Sequence, residues 1–96
     1  MTRHLLSPRA QTDLDGIWDY SEQHWGREQA ESYVRAIWSV VQDVAADPRR
    51  GRPCDDIRKG YFKAYSGQHV IFYRRVQGGI DVVRILHASM DFYRHL

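Results

Sequence analysis

The chain has a single cysteine, Cys54, among its 96 residues. No internal disulfide can therefore form, and no thiol pair exists to begin a zinc or iron–sulfur site. That usage fits a reducing, cytoplasmic compartment. Apolar residues never run far: no window approaches the roughly 18 apolar residues that a membrane span needs. The opening MTRHLLSPRA is too short in its apolar stretch for a signal peptide, so neither membrane insertion nor export is expected. Glutamate is missing after Glu31, which removes one carboxylate type from any acid/base site in the later part of the chain. No repeat or low-complexity segment is present.

The net charge of +2 conceals an uneven distribution. Residues 1–48 hold four Lys/Arg against eight Asp/Glu, a balance of −4, whereas residues 49–96 hold ten against four, a balance of +6. A basic second half suits an acidic partner, protein or nucleic acid; equally, acidic helices can complement basic strands within one fold. A chain of this length forms one domain, residues 1–96, with one core and no room for a deep cofactor cleft. Any activity belongs on a surface or in a shallow groove, and no cofactor or metal is implied. Aromatic residues are plentiful, with Trp18, Trp25, Trp38, six tyrosines and three phenylalanines, so the chain should fold.

His4-Leu5-Leu6 is a short strand candidate. Ser7-Pro8 then opens a helix, Ser7 able to accept an orphan amide and Pro8 at the first helical position. Ala10, Leu14, Ile17, Trp18 and Ser21 follow the helical period, while Asp13, Asp15, Asp19 and Glu22 fall mostly on the other face. Gly26 is a plausible C-cap. A second stripe, from Ala30 through Tyr33, Val34, Ile37, Trp38, Val41 and Val44 to Ala45, ends where Asp47-Pro48 disfavours further helix. The two helices form an antiparallel hairpin. RRGRPCDDIRKG reads as a polar loop. Beyond it, 61–65, 69–75 and 80–87 carry strand composition, with turns at Ser66-Gly67 and Gly78-Gly79.

The expected fold is therefore α+β: an N-terminal edge strand, a helical hairpin, and a three-stranded antiparallel meander with the helices on one sheet face. In the last strand Val83 and Ile85 alternate with Val82 and Leu86, so it should lie inside the sheet, covered on both faces. Trp18 and Trp38 are expected in the core and Trp25 half-exposed.

In this order and spacing, LSPRAQTDLDGIWDYSEQHWG, AADPRRGRPCDDIRKGY, GQHVIFYRR and IDVVRILHASMD resemble the ParE toxins of the RelE/ParE superfamily, the toxin halves of bacterial type II toxin–antitoxin modules. The resemblance covers nearly the whole chain. It implies a cytoplasmic, non-enzymatic toxin that binds and inhibits DNA gyrase and is neutralised by a ParD-type antitoxin. Such an antitoxin has a dimeric ribbon-helix-helix part and a tail, disordered when free, that wraps the toxin. DNA is met only indirectly, through the antitoxin.

The RelE branch of the superfamily cuts messenger RNA on the ribosome, and this is the alternative reading. That chemistry needs a base for the 2′-hydroxyl proton, cations for the developing charge and an acid for the leaving oxygen. A RelE-like site here would draw on His87, Arg84, Lys63 and Arg58. His87, whose ordinary pKa suits proton transfer near neutrality, is instead expected to hydrogen-bond Asp91 or a backbone carbonyl. Arg84 is expected to pair with Asp81 or a helix carboxylate. As a binding protein, the chain offers Arg58, Lys63, Arg74, Arg84, His87 and Asp91 to its target. An amphipathic antitoxin helix would meet Leu14, Trp18, Tyr33, Val34 and Ile37, with Arg58 and Arg75 facing its acidic residues. Tyr93 and His95 fall in a tail where local disorder is common.

Overall fold

The computed structural model describes residues 3–96. The chain begins with β1 (Arg3–Leu6), then forms α1 (Pro8–Trp25) and α2 (Arg27–Ala46). A 3-10 turn at Pro48–Arg50 leads into the two-residue β2 (Arg52–Pro53), which the sequence did not announce. The meander follows as β3 (Tyr61–Ser66), β4 (His69–Val76) and β5 (Gly79–His87), and the chain closes with a single helical turn, α3 (Phe92–His95). The strands make one sheet in the order β1-β5-β4-β3-β2, with β1 parallel to β5 and every other pair antiparallel. As expected, the last strand is interior, between β1 and β4.

Local chemistry sets the joints. Ser7 Oγ accepts the Ala10 amide at 3.0 Å while Pro8 opens α1. The same hydroxyl donates to the Val83 carbonyl at 2.6 Å, tying the helix start to β5. Gly26, at φ +89°, lies between the helices and donates its amide to the Glu22 carbonyl, a corner conformation that side chains rarely adopt. Asp47 ends α2 and caps the following turn by accepting from the Arg49 amide.

The helical hairpin buries Ala10, Leu14, Ile17, Ile37, Val41, Val44 and Ala45 against Ile71, Tyr73, Ile80, Val82 and Ile85 of the sheet. Trp38 is half-buried against this core, and Trp18 is half-buried rather than interior. Trp25 is 58% exposed. The opposite sheet face has its own core of Cys54, Val70, Phe72 and Leu86, flanked by Ile57, Tyr61, Phe92 and Leu96. This corrects the reading of RRGRPCDDIRKG as a polar loop. Its chain folds back on itself, with Cys54 N–H donating to the Tyr61 carbonyl at 2.9 Å and Gly60 N–H to Asp55 Oδ1 at 2.8 Å. Cys54 is fully buried, and burial pushes its thiol pKa up. The terminal segment likewise packs as structure, with the Phe92 and Phe72 ring centroids 4.9 Å apart.

Strand β5 contains a bulge. Tyr73 pairs with Val82 but Phe72 pairs with Arg84, so Val83 is the extra residue. The alternation expected from the sequence is thereby shifted: Val82 and Ile85 face the helices, whereas Leu86 belongs to the opposite core.

Candidate functional site

Strand β1 stops opposite Val82, leaving the rest of β5 without a strand neighbour on that side. Helix α1 takes over there. Asp13, expected on the solvent face, turns inward and accepts the Ile85 amide at 3.0 Å. It also receives Arg84 through Nε at 2.8 Å and Nη2 at 2.9 Å. Both side chains keep only about a seventh of their surface exposed, at 14% and 15%, and a bidentate carboxylate–guanidinium pair is among the stronger polar contacts. The third Arg84 nitrogen, Nη1, donates to the His95 carbonyl at 2.9 Å, so one guanidinium joins α1, β5 and α3. Of the two acids considered for Arg84, the helix carboxylate is the partner; Asp81 holds Arg74 instead, at 2.9 Å. The carboxylate hydrogen bond holds the Arg84 pKa above the usual arginine range.

Past the bulge, His87 pairs with His69, their ring centroids 5.3 Å apart and nearly perpendicular. Tyr33 of α2 completes this corner. Tyr33 Oη accepts the Gln68 amide at 3.0 Å and lies 2.6 Å from His69 Nδ1. His87 Nδ1 accepts from the Ser89 amide at 3.1 Å and lies 2.7 Å from Ser89 Oγ. With its Nδ1 accepting a backbone amide, the His87 ring carries its proton on Nε2. Burial, then the neighbouring His87 ring, lowers the His69 pKa below the ordinary histidine value. Asp91, expected to pair with His87, instead caps α3 by accepting from the Tyr93 amide at 3.1 Å.

These rings form one wall of a groove of about 760 Å³ between α1 and the far end of β4 and β5. Ile17, Tyr20 and Trp25 of α1, Tyr33 of α2, and Leu86 and Met90 supply much of its remaining lining. Tyr20, Trp25 and Met90 are 55%, 58% and 37% exposed. Tyr20 stacks on His24 at 3.9 Å and meets Trp25 edge-on at 5.7 Å, giving a continuous aromatic patch at the groove's helical side.

The sequence-based site sets are dispersed by this arrangement. Leu14 and Ile37 are core residues, 6% and 1% exposed, because their helix stripes face the sheet; they offer a partner no surface. Val34 and Trp18 are half-buried outside the groove lining, and Tyr33 alone of the five apolar candidates contributes to it. Arg75 lies over Phe62 at 4.4 Å and Arg58 over Tyr61 at 5.6 Å. Register sets Lys63 opposite Phe72 and Phe72 opposite Arg84, on the sheet face away from the helical hairpin. His87, two positions beyond Ile85, belongs to the helix-facing side. The four residues of a RelE-like site therefore do not converge: His87 stands on one face and Lys63 on the other, and the Arg84 guanidinium is fully engaged by Asp13 and the His95 carbonyl. Among the described residues, no group of three metal-ligating side chains occurs, and no helix is long and apolar enough to cross a membrane.

Residues 5–92 match the family model described as the ParE toxin of the type II toxin-antitoxin system, parDE. "Toxin ParE1" of Mycobacterium tuberculosis (strain CDC 1551 / Oshkosh) is 50% identical over 96 residues, covering 99% of this chain and 98% of that protein. "Toxin ParE1" of Caulobacter vibrioides is 45% identical, covering 100% and 99%. A solved structure, "Chromosomal ParDE TA system from P. aeruginosa", superposes with a TM-score of 0.78 at 23% identity over 91% of this chain and 96% of that one, a likeness of fold. With the match spanning both helices and the whole meander, the chain belongs to the ParE toxin family of type II toxin–antitoxin systems.

Proposed function

We propose that this ParE-family toxin acts in the cytoplasm by binding DNA gyrase and inhibiting it without chemistry of its own, and that a ParD-type antitoxin holds it inactive. Family membership over residues 5–92 is the observation that carries the proposal. The layout of the polar residues supports it. Transphosphorylation of RNA needs an acid/base group and cations around one phosphate, whereas His87 and Lys63 stand on opposite sheet faces and the Arg84 guanidinium is held by Asp13.

The antitoxin-contacting surface is the apolar groove beside α1, which exposes Tyr20, Trp25 and Met90 with Tyr33 at its end. Exposed apolar surface of this kind marks a partner site. Arg58 and Arg75, both exposed, remain candidates for acidic antitoxin residues. Arg58, Lys63 and Arg74 lie on or over the outer sheet face and form the target-contacting candidates. Arg84 and Asp91 support that surface indirectly, since both are bound within the fold.

Controlled expression tests this reading. Growth arrest with relaxed plasmid DNA and full-length messenger RNA, relieved by co-expressing a cognate ParD-type antitoxin, is the expected outcome. Arrest with fragmented message and normal plasmid supercoiling would transfer the chain to the RelE-type mode of action.

A further inference from the structure

We propose that the histidine wall of the groove is a carboxylate seat: His69 and His87 present Nε2–H groups to an acidic side chain of the antitoxin segment, whose apolar residues pack on Tyr20, Trp25 and Met90. The inference rests on the antitoxin reading above and adds the chemistry that the segment must carry.

The hydrogen-bond network carries the argument. Each ring has its Nδ1 occupied within the fold, His69 by the Tyr33 hydroxyl and His87 by the Ser89 amide. The remaining polar atom of His87 is therefore a donor, and that of His69 is a donor once the ring is protonated. Among the described residues, neither Nε2 makes a hydrogen bond. The two rings sit side by side across the β4–β5 ladder and line the same groove. A carboxylate seated there meets the His87 donor and, with His69 protonated, a second one. The groove's own carboxylate, Asp13, is already taken by Arg84 and the Ile85 amide. No lysine or arginine lines the groove, so a carboxylate arriving on the partner is held by titratable rings rather than by a permanent charge.

A regulatory consequence follows. The titratable groups facing the groove are Asp13 and Tyr20 of α1, Tyr33 of α2, His69 of β4 and His87 of β5, with His24 stacked behind Tyr20. Without a partner, burial and the second ring favour neutral His69. A carboxylate beside the pair favours an imidazolium, so binding takes up a proton and tightens as pH falls.

Calorimetric titration of the full chain with a cognate ParD-type antitoxin, between about pH 8 and about pH 6, tests this. Moving one imidazole up by one pKa unit on binding corresponds to about tenfold tighter affinity at the acidic end. Titrations in two buffers of different ionisation heat should show proton uptake. His87→Gln keeps a neutral donor on an exposed residue and should bind as wild type at the basic end while keeping most of the acidic gain, which His69 supplies. His87→Phe removes the donor and should weaken binding by about tenfold throughout. The double change His69→Gln/His87→Gln should abolish the proton uptake, with circular dichroism confirming that each variant is folded.

A wild-type affinity that is flat or weakens toward acid overturns the seat, as does proton uptake that survives the double change. Unaltered antitoxin binding by His87→Phe together with lost gyrase inhibition overturns the choice of occupant and assigns the seat to the target. No antitoxin binding at any pH overturns the toxin–antitoxin reading on which the seat depends.

Discussion

Replacing Asp13 by alanine should damage the fold far more than the loss of a helix-surface carboxylate would. The wild-type side chain accepts three hydrogen bonds, two from Arg84 and one from the Ile85 amide. Its removal leaves a largely desolvated guanidinium with one remaining partner, the His95 carbonyl, and an edge amide with none. Breaking a buried ion pair by deleting one member costs about 3–5 kcal/mol. Since each side chain keeps a residual 14–15% exposure, the lower end applies, about 3 kcal/mol. For a domain of this size each kcal/mol moves Tm by roughly 4–8 °C, so the transition should fall by about 15 °C. Thermal melts by circular dichroism read the shift, and amide exchange should show the Ile85 N–H losing protection. Because the pair is largely shielded, added salt should change the difference little. A drop of less than about 3 °C, or one that vanishes at high salt, would mean that the contact behaves as an exposed ion pair and that α1 does not complete the edge of β5.

Three further outcomes follow from the packing. Gly51→Ala would bring a Cβ within 1.9 Å of Tyr73 Oη, whose hydroxyl donates to the Pro48 carbonyl, and should destabilise by about 1–3 kcal/mol in urea titrations. The depressed His69 pKa means that the folded chain binds fewer protons than the unfolded one just below pH 6.5. Its contribution to stability is therefore complete above that value and declines as pH falls toward the folded pKa; His69→Gln should flatten this slope in chemical denaturation measured across the range. Cys54, fully buried and with a raised thiol pKa, should react with a thiol reagent at the rate of global opening, so labelling should accelerate with urea in step with unfolding.

Periodicity carried most of the architecture. The stripe from Ala10 to Ser21 and that from Ala30 to Ala45 became α1 and α2 nearly residue for residue, because Ser7-Pro8, Gly26 and Asp47-Pro48 punctuate them chemically. The second core was half legible: both alternate sets of the last strand are apolar, which demands cover on two sides. The covering elements were not legible, since Cys54 and Ile57 are isolated in a charged stretch and Phe92 in a short tail.

The site was harder to read for a specific reason. Counting back from the Gly78 turn at constant register pairs His69 with Leu86, and the bulge at Val83 moves the partner to His87. No residue near Val83 announces a bulge, so the histidine pair, and with it the meeting of Tyr33, Gln68 and Ser89, was hidden. The same shift put Arg84 on the sheet face of Lys63 and moved His87 off it. Asp13 was misplaced because its helical angle puts it beside the apolar stripe, and only the early end of β1 turns that position into a hydrogen-bonding one.

The central claim, a toxin that acts on gyrase by binding, is tested most directly by a supercoiling assay with purified gyrase and the intact chain. Near-stoichiometric toxin should inhibit supercoiling, and the antitoxin should reverse that inhibition, with ribosome-bound message left whole in a parallel translation reaction. Undiminished supercoiling at a large molar excess of folded toxin, alongside cleavage of that message, would contradict it.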